Sequence, residues 1–286
     1  MDHVIARKMH RTLEPYHGII YFAPEAAATY ADIGLTGRSG YFASRSAAMG
    51  PVDAEVVIAT FFNFNPTLVR RALDGVWSQI EPAVVIAARY AAVDAAMRRL
   101  LGDAIDSPEM AEAAELARIA ATDLEPAGQP LFAAHSTVAW PTEPHLVLWH
   151  AQTLIREFRG DGHIACLVQA GIASGCEALV QHAASGEITA DALRSSRAWP
   201  EPEWDAAVAA LVERGWVDAA GHASTEGAAV RAAIEIRTDE LAMAPWRQLG
   251  QEGSDRLREL VRPFSRAIVG GADYGLDAAA REGSSR

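Results

Sequence analysis

The stretch from Thr189 to Gly227 reads TADALRSSRAWPEPEWDAAVAALVERGWVDAAGHASTEG, and its punctuation sets out a series of elements. Thr189 suits the N-cap of a short helix reaching Arg197, because a threonine hydroxyl can accept from an orphan backbone N–H. Ala198, Trp199 and Pro200 read as a turn, and Glu201 to Arg214 as a longer helix with apolar residues from Val208 to Val212. Gly215 then falls where a helix takes a left-handed terminal residue. Trp216 to Ser224 alternates like a short hairpin, a pattern scarce elsewhere in the chain, and Thr225-Glu-Gly227 opens another long helix.

Working outward, helix signals dominate. Asn65-Pro66, Glu81-Pro82 and Ser107-Pro108 each place proline near a first helical position, with Asn65 and Ser107 as N-caps. Apolar residues recur at helical spacing through 84–101, 110–119 and 146–158. The two halves also share an ordered set of matches. Gly40-Tyr-Phe-Ala43 aligns with Gly162-His-Ile-Ala165, and the same offset brings Glu55 onto Glu177, Thr67 onto Thr189 and Trp77 onto Trp199. Later, Val93-Asp-Ala-Ala96 matches Trp204-Asp-Ala-Ala207, Thr122-Asp123 matches Thr238-Asp239, and the helix of His17 corresponds to that of His150. Their common order points to a duplication: a repeat over 1–140, a second over 141–268, and a flexible Gly/Ser/Ala-rich tail over 269–286.

The helix, hairpin and helix of the second half resemble the winged helix of MarR-type regulators. The expected fold is therefore mainly α: two diverged winged-helix repeats packed as an internal pseudo-dimer, with a small β-hairpin wing in the second. In the first repeat, Gly102 to Asp106 replaces the hairpin.

Charge weighs on the choice of partner. The 286 residues carry a formal net charge of −12 with two cysteines, whereas duplex-DNA binders use a basic surface to neutralise phosphates. The second-repeat helix that would enter a major groove begins with Glu201, Glu203 and Asp205, and its wing has no Lys or Arg. Arg89, Arg98 and Arg99 make the first-repeat counterpart more basic, but without a wing. Two cysteines suit a reducing compartment and a buried, unbonded role. With no membrane span and no signal-peptide core, the expected setting is cytoplasmic.

The densest run of polar groups extends from Trp149 to His163. His150 and Glu157 share a helical face with Leu146 and Leu154. The helix is expected to stop at Arg159-Gly160, with Asp161 capping the next helix and His163 in its first turn, where the imidazole stays neutral. Two uses are open. Arg-Gly-Asp-Gly can simply be an interhelical turn, or Asp161 can orient His163 as an acid–base pair. The first repeat offers Tyr16, His17, Tyr21, Tyr41, Arg45, Phe61 and Asn63, an aromatic group that fits either a core or a pocket wall. If the repeats pack about a pseudo-two-fold axis, these residues and His150, Arg156 and Glu157 line one ligand cleft between them. The histidine spacing matches no metal-ligand pattern, so metal and cofactor content stay open.

Leu13-Glu-Pro-Tyr-His17, Tyr21-Phe-Ala-Pro-Glu25, Gly40-Tyr-Phe-Ala-Ser-Arg45 and Leu148-Trp-His150 through His163 together resemble the SalK-like helix-turn-helix family of actinobacteria. The resemblance spans nearly the whole chain. It implies a tandem winged-helix fold and a setting in natural-product metabolism, and it brings no established reaction. Three functions follow, in order: a protein binding a small organic ligand, an enzyme using His163 and Asp161 with Arg45 or Arg156 holding an anionic substrate, and a MarR-like DNA-binding regulator. An internally duplicated chain is compatible with a monomer or a homodimer.

Overall fold

Proline and small capping residues divide the chain where the sequence places them. In the computed structural model, which describes residues 1–271, the helices in order are α1 (Val4–Gly18), α2 (Pro24–Asp32), α3 (Arg38–Ser46), α4 (Ala54–Phe61), α5 (Pro66–Leu73), α6 (Val76–Gln79), α7 (Pro82–Leu101), α8 (Pro108–Ala121), α9 (Pro130–Ser136), α10 (Pro144–Gln169), α11 (Gly175–Ala184), α12 (Ala190–Ser196), α13 (Glu201–Glu213), α14 (Thr225–Leu241) and α15 (Ala244–Gly270). Asn65 Oδ1 accepts from the Thr67 N–H at 2.9 Å, and Ser107 Oγ from that of Met110 at 3.2 Å, so both expected caps form. The protein is mainly helical. Residues 272–286, which hold most of the expected tail, lie outside the described residues.

The chain folds into two compact units, each drawn from separated stretches: Met1–Pro51 with Gly75–Gly160 and Asp239–Arg286, and Val52–Asp74 with Asp161–Thr238. In the first unit α15 packs along α1 and α8, and α2 along α7. Alanines at 113, 114, 117, 120 and 121 line the buried side of α8, so a partner helix can approach closely. On α7 the buried positions Val85, Ala88, Arg89, Ala92, Val93, Ala96 and Met97 follow the helical period, with one arginine among apolar residues. α15 is bent at Gly250, whose φ of 78° and ψ of 170° break the helical path.

The second unit has its own core of Cys176, Leu179, Val180, Leu193, Trp199, Trp204, Ala207, Leu211 and Val217. α11 packs on both α12 and α13. α13 ends in a Schellman motif: the Trp216 N–H reaches the Leu211 carbonyl and the Gly215 N–H reaches Val212, both at 2.9 Å, with Gly215 at φ 71°. The expected wing is reduced. Among the described residues no strand forms, and the hairpin is one antiparallel bridge between Val217 and Ala223. The Asp218 carboxylate accounts for this, since it accepts from the N–H groups of Ala220 and His222, both at 2.9 Å, and closes the loop at once. Ser224 then caps α14 through the Gly227 N–H at 3.0 Å.

One expected boundary is absent. α10 runs unbroken through Arg159-Gly-Asp-Gly-His163, although the two glycines carry a turn signal. Neither glycine takes a positive φ, so each costs about 1 kcal/mol of helix propensity. Contacts along the helix offset that cost, including Arg159 donating to Asp239 at 3.1 Å.

Candidate functional site

In the first unit, α1, α3, α7 and α10 converge on a buried set of cations and rings. Arg45 donates through one nitrogen to both Glu157 oxygens, at 3.1 and 3.2 Å, and through another to the Tyr41 hydroxyl at 3.1 Å. Arg156 donates to Glu157 at 3.1 Å and to both Glu14 oxygens at 3.0 and 3.1 Å. Burial pushes the Glu157 carboxyl up, but Arg45 and then Arg156 outweigh it and hold its pKa at about 2. The Tyr21 ring lies under both guanidiniums, 5.9 and 5.5 Å from centroid to Cζ. Of the residues singled out in the sequence, Tyr21, Tyr41, Arg45, Arg156 and Glu157 come together here, with Glu157 shared by the two arginines and Arg156 also held by Glu14. Tyr16 lies apart from it, donating to the His145 carbonyl at 3.0 Å.

His17 is fully buried, stacked 5.4 Å from Trp149 with an interplanar angle of 3°, and the Trp149 indole N–H donates to the His17 carbonyl at 3.1 Å. α1 and α10 therefore meet through these side chains. Neither His17 nitrogen has a hydrogen-bond partner. Burial, then the charges of Arg156, Arg89 and Arg45, drive its pKa well below the ordinary histidine value.

Arg89, one of the three arginines that make this helix the more basic counterpart of the recognition helix, is 2% exposed and packs 4.9 Å from the Trp149 ring. Arg98 and Arg99 pair with Asp94 and Glu25. α7 therefore presents no free cationic row.

Beside Tyr90 lies a pocket of about 490 Å³ bounded by α7, Ala48 in the turn after α3, the loop after α9 and the start of α10. Its walls are almost wholly apolar: Ala83, Ile86, Ala87, Val138 and Leu146 contribute most of them, and Tyr90 carries a polar tip. The Tyr90 hydroxyl is hydrogen-bonded to His150 Nδ1. Burial raises the Tyr90 pKa to about 12, and burial and then the Arg89 charge lower that of His150 to about 4. At neutral pH the phenol is therefore protonated and donates to a neutral imidazole, which leaves the His150 proton on Nε2, buried without a partner. Trp140 stands edge-on to that ring at 4.5 Å. Sequence reasoning found His150 but passed over Tyr90, whose i+7 and i−4 spacings to Met97 and Ile86 read as ordinary helix.

The remaining candidates lie in the second unit. Phe61 ends α4, and the Asn63 carbonyl accepts from the Trp199 indole at 3.0 Å. His163 and Asp161 sit two residues apart in mid-helix, where side chains do not face each other. The His163 Nδ1 partner is the Thr238 hydroxyl at 2.9 Å. That hydroxyl gives its proton to the Ile234 carbonyl at 2.8 Å, so His163 donates through Nδ1. The helix N-terminus that was expected to hold this imidazole neutral is not there.

α13 exposes Glu201, Glu203 and Asp205, and Arg214 at its end is held by Glu177 at 3.3 Å. Among the described residues, no group of three or more His, Cys, Asp or Glu is placed to hold a metal ion, and no helix is long and apolar enough to cross a membrane.

A short helix, a tight turn and a longer helix, packed on a third and followed by a small turn into α14, put this unit in the helix-turn-helix class. The chain belongs to a helix-turn-helix family, whose profile matches residues 6–274. No curated protein and no solved structure matches it.

Proposed function

We propose that this is a winged-helix protein, of MarR-like ancestry by duplication, whose first unit binds a small, predominantly apolar organic molecule. The observation that carries the reading is the pocket of about 490 Å³ beside the Tyr90–His150 pair. Its volume falls within the range of small-molecule sites, roughly 300–1,000 Å³, and its composition of apolar walls with few polar anchors is theirs as well. The Tyr90 hydroxyl offers an acceptor to the ligand while its proton is committed to His150. The resemblance to SalK-like proteins supports a ligand drawn from specialised metabolism. The acidic start of α13 argues against DNA as the main partner, because each carboxylate there would face phosphate.

The neutral probe N-phenyl-1-naphthylamine tests the pocket. It should bind saturably, with enhanced emission, and Ala87→Trp should abolish that binding while leaving the melting temperature intact. Ala87 is solvent-exposed at the pocket wall, so the larger side chain fills the pocket without entering the core. Unchanged probe binding in Ala87→Trp would sink the proposal.

A further inference from the structure

The helix-turn-helix unit holds a second pocket, independent of the first, between α11, the Val217–Ala223 turn and α14. It encloses about 300 Å³. Gln181 of α11 lines it, is 3% exposed, and has no hydrogen-bond partner for either its amide nitrogen or its oxygen. Leaving two such atoms unpaired costs about 1–3 kcal/mol each. The pocket is also far larger than the roughly 30 Å³ that a water molecule occupies in the liquid.

The other walls select a shape. Trp216 lines the pocket, and its ring is braced by the Arg214 guanidinium at 5.2 Å, itself fixed by Glu177 at 3.3 Å and the Gly171 carbonyl at 2.6 Å. Ala184, Ala228 and Ala232 complete the wall with small side chains. At Gly227 a Cβ would stand 1.9 Å from the Trp216 carbonyl oxygen, so only glycine lets α14 start this close to the turn. Arg231, paired to Glu235 at 3.1 Å, supplies positive charge at the wall.

We propose that this pocket binds a planar heterocycle carrying an N–H donor beside an acceptor, a lactam or nucleobase edge, with Gln181 pairing that edge and Trp216 covering the ring. A carboxamide matches such an edge through two parallel hydrogen bonds, as glutamine does with adenine, and a flat aromatic face accepts any ring that stacks.

Uracil, adenine and 2-piperidone, offered at millimolar concentration to the full-length chain, are the probes. Ligand-observed saturation-transfer NMR should show contact with at least one of them, and its titration should change Trp216 emission, identified by subtraction of Trp216→Phe. Gln181→Leu should weaken that binding about tenfold or more. Ala228→Met, which fills the slot from the exposed side of α14, should block it and serves if Gln181→Leu disturbs α11. Ala87→Trp should leave it unaltered, which separates this pocket from the first. Absence of transfer from all three probes overturns the proposal. So does binding to Gln181→Leu and Ala228→Met as tight as to the unchanged chain.

Discussion

Acidification from pH 7 to pH 5 should loosen the first unit through its buried histidines. His135 is 5% exposed, donates to the Arg45 carbonyl at 3.2 Å, and has its pKa lowered to about 3 by burial and then by Arg89. His150 is lowered to about 4. Both compare with 6.5 for an unburied ring, so between these values the unfolded chain binds more protons than the folded one. Stability is then present above pH 6.5 and falls as pH drops toward the folded values. Linkage gives about 2 kcal/mol per histidine between pH 7 and pH 5, or about 4 kcal/mol for the pair. His17, shifted the same way, adds to the loss. Amide hydrogen exchange of peptides from α7, α9 and α10, corrected for the intrinsic pH dependence of exchange, reads this directly. Protection should fall by roughly three orders of magnitude, and His135→Gln with His150→Gln should remove most of the slope. Equal protection at pH 5 and pH 7, or a slope undiminished by the double substitution, would refute the reasoning.

Glu157→Gln should lower the stability of the first unit by about 3–5 kcal/mol in urea unfolding, because Arg45 and Arg156 lose their shared buried counter-charge. In contrast, Arg45→Met with Glu157→Met should cost less than Glu157→Gln alone; a larger loss would contradict the charge argument. Gly175→Ala should unfold the second unit, since its Cβ would stand 2.0 Å from the Phe62 carbonyl oxygen, and circular dichroism with proteolysis would show it. Ser107→Ala should cost about 1 kcal/mol through loss of the α8 cap, measured by thermal melting.

Local chemistry made much of this fold readable. Asn65, Ser107 and Thr189 act as caps, and Gly215 takes the left-handed conformation that its place after Val-Glu-Arg demands. The failures came where distant contacts decide. Gly160 and Gly162 carry a turn signal, but α10 continues through them. Arg89 has the local pattern of an exposed cation, and only the tertiary stacking on Trp149 reveals that it is interior. The site was legible as a set of residue types: His17, Tyr21, Tyr41, Arg45, Arg156 and Glu157 do gather. Their use was not, because an ion pair between residues 112 positions apart leaves no trace in spacing. Tyr90 was missed for the same reason, since its partner lies on another helix.

The turn that replaces the wing carries a consequence for association. A longer hairpin would present two rows of backbone N–H and C=O groups, a template on which another chain can add a strand. Here Asp218 takes up the Ala220 and His222 N–H groups within the loop, the Ala223 N–H is turned to the Ala184 carbonyl, and a single bridge joins the arms. This corner therefore gives a second molecule no ladder to extend. Any contact made at this corner must be read through side chains.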